Sequence, residues 1–189
     1  MRARDPLDAI PIGIRRAACA YHEAGHILAG WRHRREISHA WLRPPHGLSG
    51  ETCFQPYRSA FRPGHEPDLV RAETEIIILS AGHCGEMIYW NRPEAARWYP
   101  GILHSHQDDL EQMQAFIRFI APADEAALRA RCSLAATAIL HAPAMLEAQT
   151  RIADALIANR RIGGEEVAAI LNRAPANPEN HREKPFSTR

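Results

Sequence analysis

The chain has 189 residues, 46% of them hydrophobic and 24% charged, with 23 basic against 22 acidic side chains and a formal net charge of +1. These values describe one full-sized globular domain with no global field to gather nucleic acid or anionic lipid, so neither partner is expected. Cys19, Cys53, Cys84 and Cys132 form no C-x-x-C pair, which excludes a cysteine-type zinc ribbon and suits a reducing, cytoplasmic location.

Residues 1–14 read as an irregular N-terminal arm carrying Pro6 and Pro11, charged but without the apolar core of a signal peptide. A helix is expected from Arg15 to about Arg35, with Cys19, His22, His26, Ala29 and His33 along one stripe. "EISHAWLRP" and "LSGETCFQP" then read as two short strands flanking a "PPHG" turn, because β-branched and aromatic residues alternate and proline closes each. After the loop "YRSAFRPGHEP", a mostly apolar helix is expected from about Asp68 to Asn91, buried on more than one face. His83, Glu86 and two glycines interrupt its apolar run, which is too short and too polar to span a bilayer.

"RPEAARWYPGILHS" reads as a second loop, ending at Ser105 as the N-cap of a helix to about Ile120. Asp108 and Asp109 fall in its first turn, where carboxylates suit the helix dipole. Two more helices are expected, one opened by Pro122 and running to about His141, the other from Pro143 to about Asn159. "GGEEVAAIL" closes the fold as a short helix, and residues 174–189, polar and proline-rich, read as a disordered tail. The expected fold is thus mainly α with a small β-sheet (α+β), in one domain over residues 15–173. Trp31, Trp41, Trp90 and Trp98 read as core or interface anchors, and no aromatic platform interleaved with arginines is visible.

The stretch with chemistry is "CAYHEAGHILAGW", residues 19–31. On a helix, residues four apart share a face with Cβ atoms about 5–6 Å apart, so His22 and His26 can converge on one metal ion. Glu23 is rotated about 100° from His22 and sits beside such an ion, where it could take a proton from water. Gly25, costly inside a helix, implies close approach of another helix. A histidine on an apolar face is also an ordinary hydrogen-bonded core residue, so the pair needs a third ligand.

The pattern H-E-x-x-H-x-x-G-x-x-H is missed, since Gly30 and His33 each fall one residue late and His33 would lie about 10 Å along the axis from His26. His33 therefore reads as a surface or second-layer residue. The acidic candidates on other helices are Glu73, Glu75, Glu86, Asp108 and Asp109, and spacing does not choose among them. Asp108 and Asp109 also read as first-turn helix charges, and Glu86 as the buried partner of an arginine.

Together the motifs resemble the peptidase domain of the FtsH family, the ATP-dependent AAA+ zinc metalloproteases. "HEAGH" is similar to that family's zinc motif, "LSGETCF" to its small-sheet strand and "LSAGHCGEMIY" to its leucine-glycine-arginine-alanine-glutamate helix. "HQDDLEQM" resembles its asparagine-aspartate-leucine segment, and "LIANRRIGGEEVAAIL" its closing glycine-glutamate-glutamate segment; the order is kept from about residue 15 to 172. The resemblance implies one zinc ion per chain on His22, His26 and Asp109, with Glu23 as catalytic base. It places Glu86 near the metal, orienting a ligand or, like Asp108, available as an alternative one. It makes Leu48, Ser49, Gly50, Glu51 and Thr52 the edge on which an extended peptide or unfolded protein adds as a strand.

The chain departs from the family at His83, Met87, Ser105 and His106, and His104 and His106 fall near the metal by implication. No G-x-x-x-x-G-K-[ST] loop is present, so no ATPase module is expected in this chain; a separate ATPase partner and a homo-oligomer are both compatible with it. The alternative to a zinc metallopeptidase is a catalytically inactive metal- or partner-binding module on the same fold.

Overall fold

The computed structural model describes residues 9–44, 46, 48–101 and 107–172. Pro11 ends the extended entry, and its carbonyl accepts from the amides of Ile14 and Arg15 at 2.9 and 3.1 Å. Helix α1 (Ile12–Arg32) therefore starts ahead of Arg15 and takes in residues 12–14 of the expected arm. It ends early as well. Arg34 adopts φ 58°, and the amides of Arg35 and Arg34 turn back to the carbonyls of Gly30 and Trp31. That closure puts an arginine where glycine is usual and leaves Arg35 outside the helix.

Every residue of α1 from Ala18 to Gly30 is buried. The histidines thus lie on a central helix, walled on all sides, and not on a single apolar stripe. Strands β1 (Ile37–Leu42) and β2 (Gly50–Phe54) pair antiparallel, with Trp41 opposite Glu51 and Ala40 opposite Thr52. Helix α2 (Glu66–Trp90) packs along α1, followed by α3 (Pro93–Ala96), a single turn inside the expected second loop.

Helix α4 (Gln107–Ile120) and helix α5 (Glu125–Leu140) follow. Asp124, not Pro122, opens α5, since its side chain accepts from the amide of Ala127 at 2.9 Å. Helix α6 (Pro143–Asn159) leads into β3 (Arg161–Gly163) and α7 (Gly164–Asn172). Strand β3 had no counterpart in the sequence reading; it pairs with β1, giving the order β2-β1-β3. Ser105 as a cap, residues 1–8 of the arm and the tail 174–189 lie outside the described residues.

The main core joins α1, α2, α6 and the sheet through Ala20, Ala24, Ile27, Leu28, Ala40, Leu42, Ile78, Ala81, Ile152, Leu156 and Ile162. A second cluster of Ile76, Met113, Ile117, Leu128 and Cys132 ties α4 and α5 to α2. It is this cluster that fixes where the first turn of α4 points. No described helix is long and apolar enough to cross a membrane. All four cysteines are free thiols.

One arrangement was invisible in the sequence. The Arg35 guanidinium lies between the rings of Phe54 and Tyr57, at 5.4 and 3.9 Å, and that of Arg71 between Tyr57 and Phe61, each at 4.8 Å. Arginines and aromatics do interleave here, and they stack on one another. The ladder fastens the 55–65 segment to the end of α1 and the start of α2.

A Cβ at Gly25 would fall on the carbonyl group of Ala81 in α2. Gly25→Ala must therefore push two central helices apart, and urea unfolding is expected to show a loss of about 3 kcal/mol. Gly13→Ala, where a Cβ meets nothing within 4 Å, is the control and should be neutral or stabilising by up to about 1 kcal/mol.

Candidate metal centre

His22 and His26 are one turn apart on α1, and Asp109 reaches them from the first turn of α4. The two Nε2 atoms are 3.0 Å apart, and Asp109 Oδ2 lies 2.9 Å from that of His22 and 3.3 Å from that of His26. Donors bound at about 2.0–2.1 Å to a tetrahedral ion are about 3.3–3.4 Å apart, so the triangle needs only a few tenths of an ångström to accept one.

Both rings are held from behind. His26 Nδ1–H donates to the Ile78 carbonyl at 2.8 Å, which fixes the tautomer with its Nε2 lone pair toward the triangle. His22 Nδ1 lies 3.4 Å from Glu86 Oε2, while the Trp90 indole N–H donates to Glu86 Oε1 at 3.0 Å. Glu86 is thus a buried partner of histidine and tryptophan, behind the ligand atoms. Gly82 completes the cradle, because a Cβ there would stand 2.5 Å from His26 Nε2 and 2.7 Å from His22 Nε2.

Three electron-rich atoms at such distances repel one another unless a cation lies among them. A proton is one such cation and a metal ion is the other. Burial alone would lower the pKa of His22, but hydrogen bonds to Asp109 and Glu86 and the charge of Glu23 outweigh it and raise it to about 10. For Asp109, burial would raise the pKa, yet the hydrogen bonds from both histidines hold its carboxyl well below the usual carboxylate range. The cluster of His22, His26 and Asp109 could therefore hold a metal ion.

Glu23 is buried beside the pair and is clamped by the sheet. Thr52 Oγ1 donates to its Oε2 at 2.8 Å, and Gly50 lets β2 lie against it, since a Cβ there would come within 2.5 Å of Oε1. Burial raises the Glu23 pKa above the ordinary carboxylate value, although the charges of His22 and His26 and the Thr52 bond oppose the rise. A carboxyl tuned upward suits proton transfer near neutral pH.

These groups line a cleft of about 230 Å³ together with Ser49, Gly50, Glu51, Thr52, Asp108 and Gln112. Leu48 is half-buried and does not line it. Asp108 is exposed and outside the ligand triangle; a one-residue step along α4 turns its side chain about 100° from that of Asp109. Glu73 pairs with Arg131, and Glu75 with Arg35 and Tyr57. Half-buried His33 caps α1, and His104 and His106 lie outside the described residues.

Cys19 also lines the cleft, with burial first, and then the charges of Glu23 and Glu86, raising its thiol well above the ordinary value; it is not part of the donor cluster of His22, His26 and Asp109. The sequence reading missed the Ile78 carbonyl and Trp90. A backbone acceptor leaves no trace in sequence; the glycines inside the apolar run of α2 were the available signal of close approach.

Among the described residues, strand β2 is a sheet edge, paired with β1 alone. Arg43 N–H bonds to the Ser49 carbonyl at 2.8 Å, so by antiparallel alternation Ser49, Glu51 and Cys53 face β1 while the backbone groups of Gly50 and Thr52 face outward. The free edge and Glu23 thus border the same cleft.

No model of a known protein family matches this chain, and no curated protein matches its sequence.

Metal binding must displace the His22 proton, which persists through neutral pH because the raised pKa of about 10 keeps the ring charged. Calorimetric titration with a divalent transition metal at pH 7, in buffers of different ionisation enthalpy, should show about one proton released per ion bound. Affinity should climb with pH up to the region of that pKa, and Asp109→Asn should weaken it at every pH.

Proposed function

We propose that the protein is a zinc metallopeptidase of the FtsH type that hydrolyses peptide bonds in peptides or unfolded proteins. The observation that carries this reading is a buried glutamate, Glu23, held by Thr52 between a three-donor cluster and a sheet edge left unpaired among the described residues. Two imidazoles and one carboxylate suit zinc, and a fourth position would open to the cleft. A zinc ion there supplies Lewis-acid chemistry, acidifying water and polarising a scissile carbonyl.

The chain's own groups do the rest. An extended substrate adds along β2, its backbone bonding to the outward groups of Gly50 and Thr52. Glu23 takes the proton of the attacking water and returns it to the leaving amine, and Thr52 keeps the carboxylate aimed while it does so. Glu86 and the Ile78 carbonyl hold the two imidazoles by their Nδ1 sides throughout. Only an unfolded segment can lie flat on an edge strand, so a folded substrate would need a separate ATPase to unwind it. A cytoplasmic setting and assembly into a homo-oligomer belong to the same proposal.

The test is digestion of a disordered protein by the zinc-loaded chain. Glu23→Gln should retain zinc and lose at least about 10²-fold in rate. Cleavage that persists unchanged in Glu23→Gln would refute the assignment. Full zinc occupancy with no cleavage of any unfolded substrate would favour the inactive metal- or partner-binding module. Thr52→Val should keep zinc and lower kcat by roughly tenfold, since it frees the carboxylate that Glu23 must aim.

A further inference from the structure

Away from the metal cleft, a pocket of about 310 Å³ opens between the end of α1, the segment after β2 and the first turns of α2. Arg34, Arg35, Arg58 and Arg71 line it with His33, against a single lining carboxylate, Glu36. Arg35 and Arg71 are ion-paired with Glu75 and Asp68 behind the lining, so the charge left for a ligand is that of Arg34 and Arg58, joined by the unused N–H groups of the other two.

Their existing partners leave capacity. Arg35 gives its Nε–H to Glu75 and one terminal nitrogen to the Gln55 carbonyl. Arg71 reaches Asp68 and Ser59 through its terminal nitrogens, while its Nε is buried without a hydrogen-bond partner. His33 Nε2 is likewise buried and unpartnered. Arg34 and Arg58 are exposed at the rim and form no side-chain hydrogen bond or ion pair among the described residues.

The ladder of Phe54, Arg35, Tyr57, Arg71 and Phe61 holds two of these guanidinium planes in place before any ligand arrives. Preset, planar donors with unused hydrogens favour a compact, multiply charged oxyanion over a chloride or a lone carboxylate. We infer that this pocket is a binding site for a phosphate group, either as the free ion or carried by a small molecule such as a nucleotide. The volume exceeds that of one phosphate and admits part of its carrier. Arg35 also holds Glu75, which lines the metal cleft, so an anion here sits one side chain from that cleft.

The inference stands apart from the peptidase reading, and its test avoids the metal. Isothermal titration is run at constant ionic strength with a chelator present, using inorganic phosphate, adenosine monophosphate and acetate. Wild type should bind phosphate saturably at one site per chain, and acetate should not saturate. Arg34→Ala/Arg58→Ala, which removes two exposed side chains without structural partners, should melt like wild type and bind phosphate at least about tenfold more weakly. Equal affinity for phosphate and the nucleotide identifies the oxyanion alone as ligand; tighter nucleotide binding adds contacts from its carrier. No saturable binding of either, or an unchanged affinity in the double variant, overturns the inference.

Discussion

The contact between α1 and α2 is the constraint on which the rest depends. Gly25 lets the carbonyl of Ala81 come against α1, and Gly82 leaves the space that the two imidazole rings occupy. At that separation the Ile78 carbonyl reaches His26 and the Glu86 carboxylate reaches His22. A wider spacing would free both rings to rotate and leave His26 Nδ1 buried without its acceptor, which costs about 1–3 kcal/mol. The backbone approach that builds the core is therefore also the device that aims the two imidazole donor atoms.

The remaining elements complete that pair from either side. The cluster of Ile76, Met113, Ile117, Leu128 and Cys132 seats α4 so that Asp109, but not Asp108, meets the histidines. On the other side, the sheet presses Thr52 and Gly50 against Glu23. Burial makes each of these charges expensive in isolation, and the arrangement answers it by opposition: two imidazoles, one ionised carboxylate and one carboxyl with its pKa pushed upward. Such opposed shifts in a cleft are the pattern expected where protons are moved.

Much of this was legible in the sequence, for identifiable reasons. A four-residue histidine spacing carries its geometry with it once the helix is granted, and Gly25 announced a close neighbour. Other features were not legible. Strand β3 spans only Arg161–Gly163 and exists because β1 offers it an edge, so no periodicity could mark it. The end of α1 rests on Arg34 at φ 58°, a conformation that gives no sign of itself in an arginine. The choice between Asp108 and Asp109 depends on how α4 is rotated, which a distant apolar cluster decides. Glu86 was read as an arginine's partner or, from the resemblance, as a group orienting a ligand histidine; it lies against His22 and accepts from Trp90, and only the tryptophan was unforeseen.

The most direct test of the central claim is elemental analysis of the protein purified without added metal, comparing wild type with Asp109→Ala. The account predicts one zinc ion per chain in wild type and a sharp fall in Asp109→Ala. Absence of zinc in wild type even after reconstitution, or occupancy unaffected by loss of Asp109, would contradict it and return His22 and His26 to the role of buried core histidines.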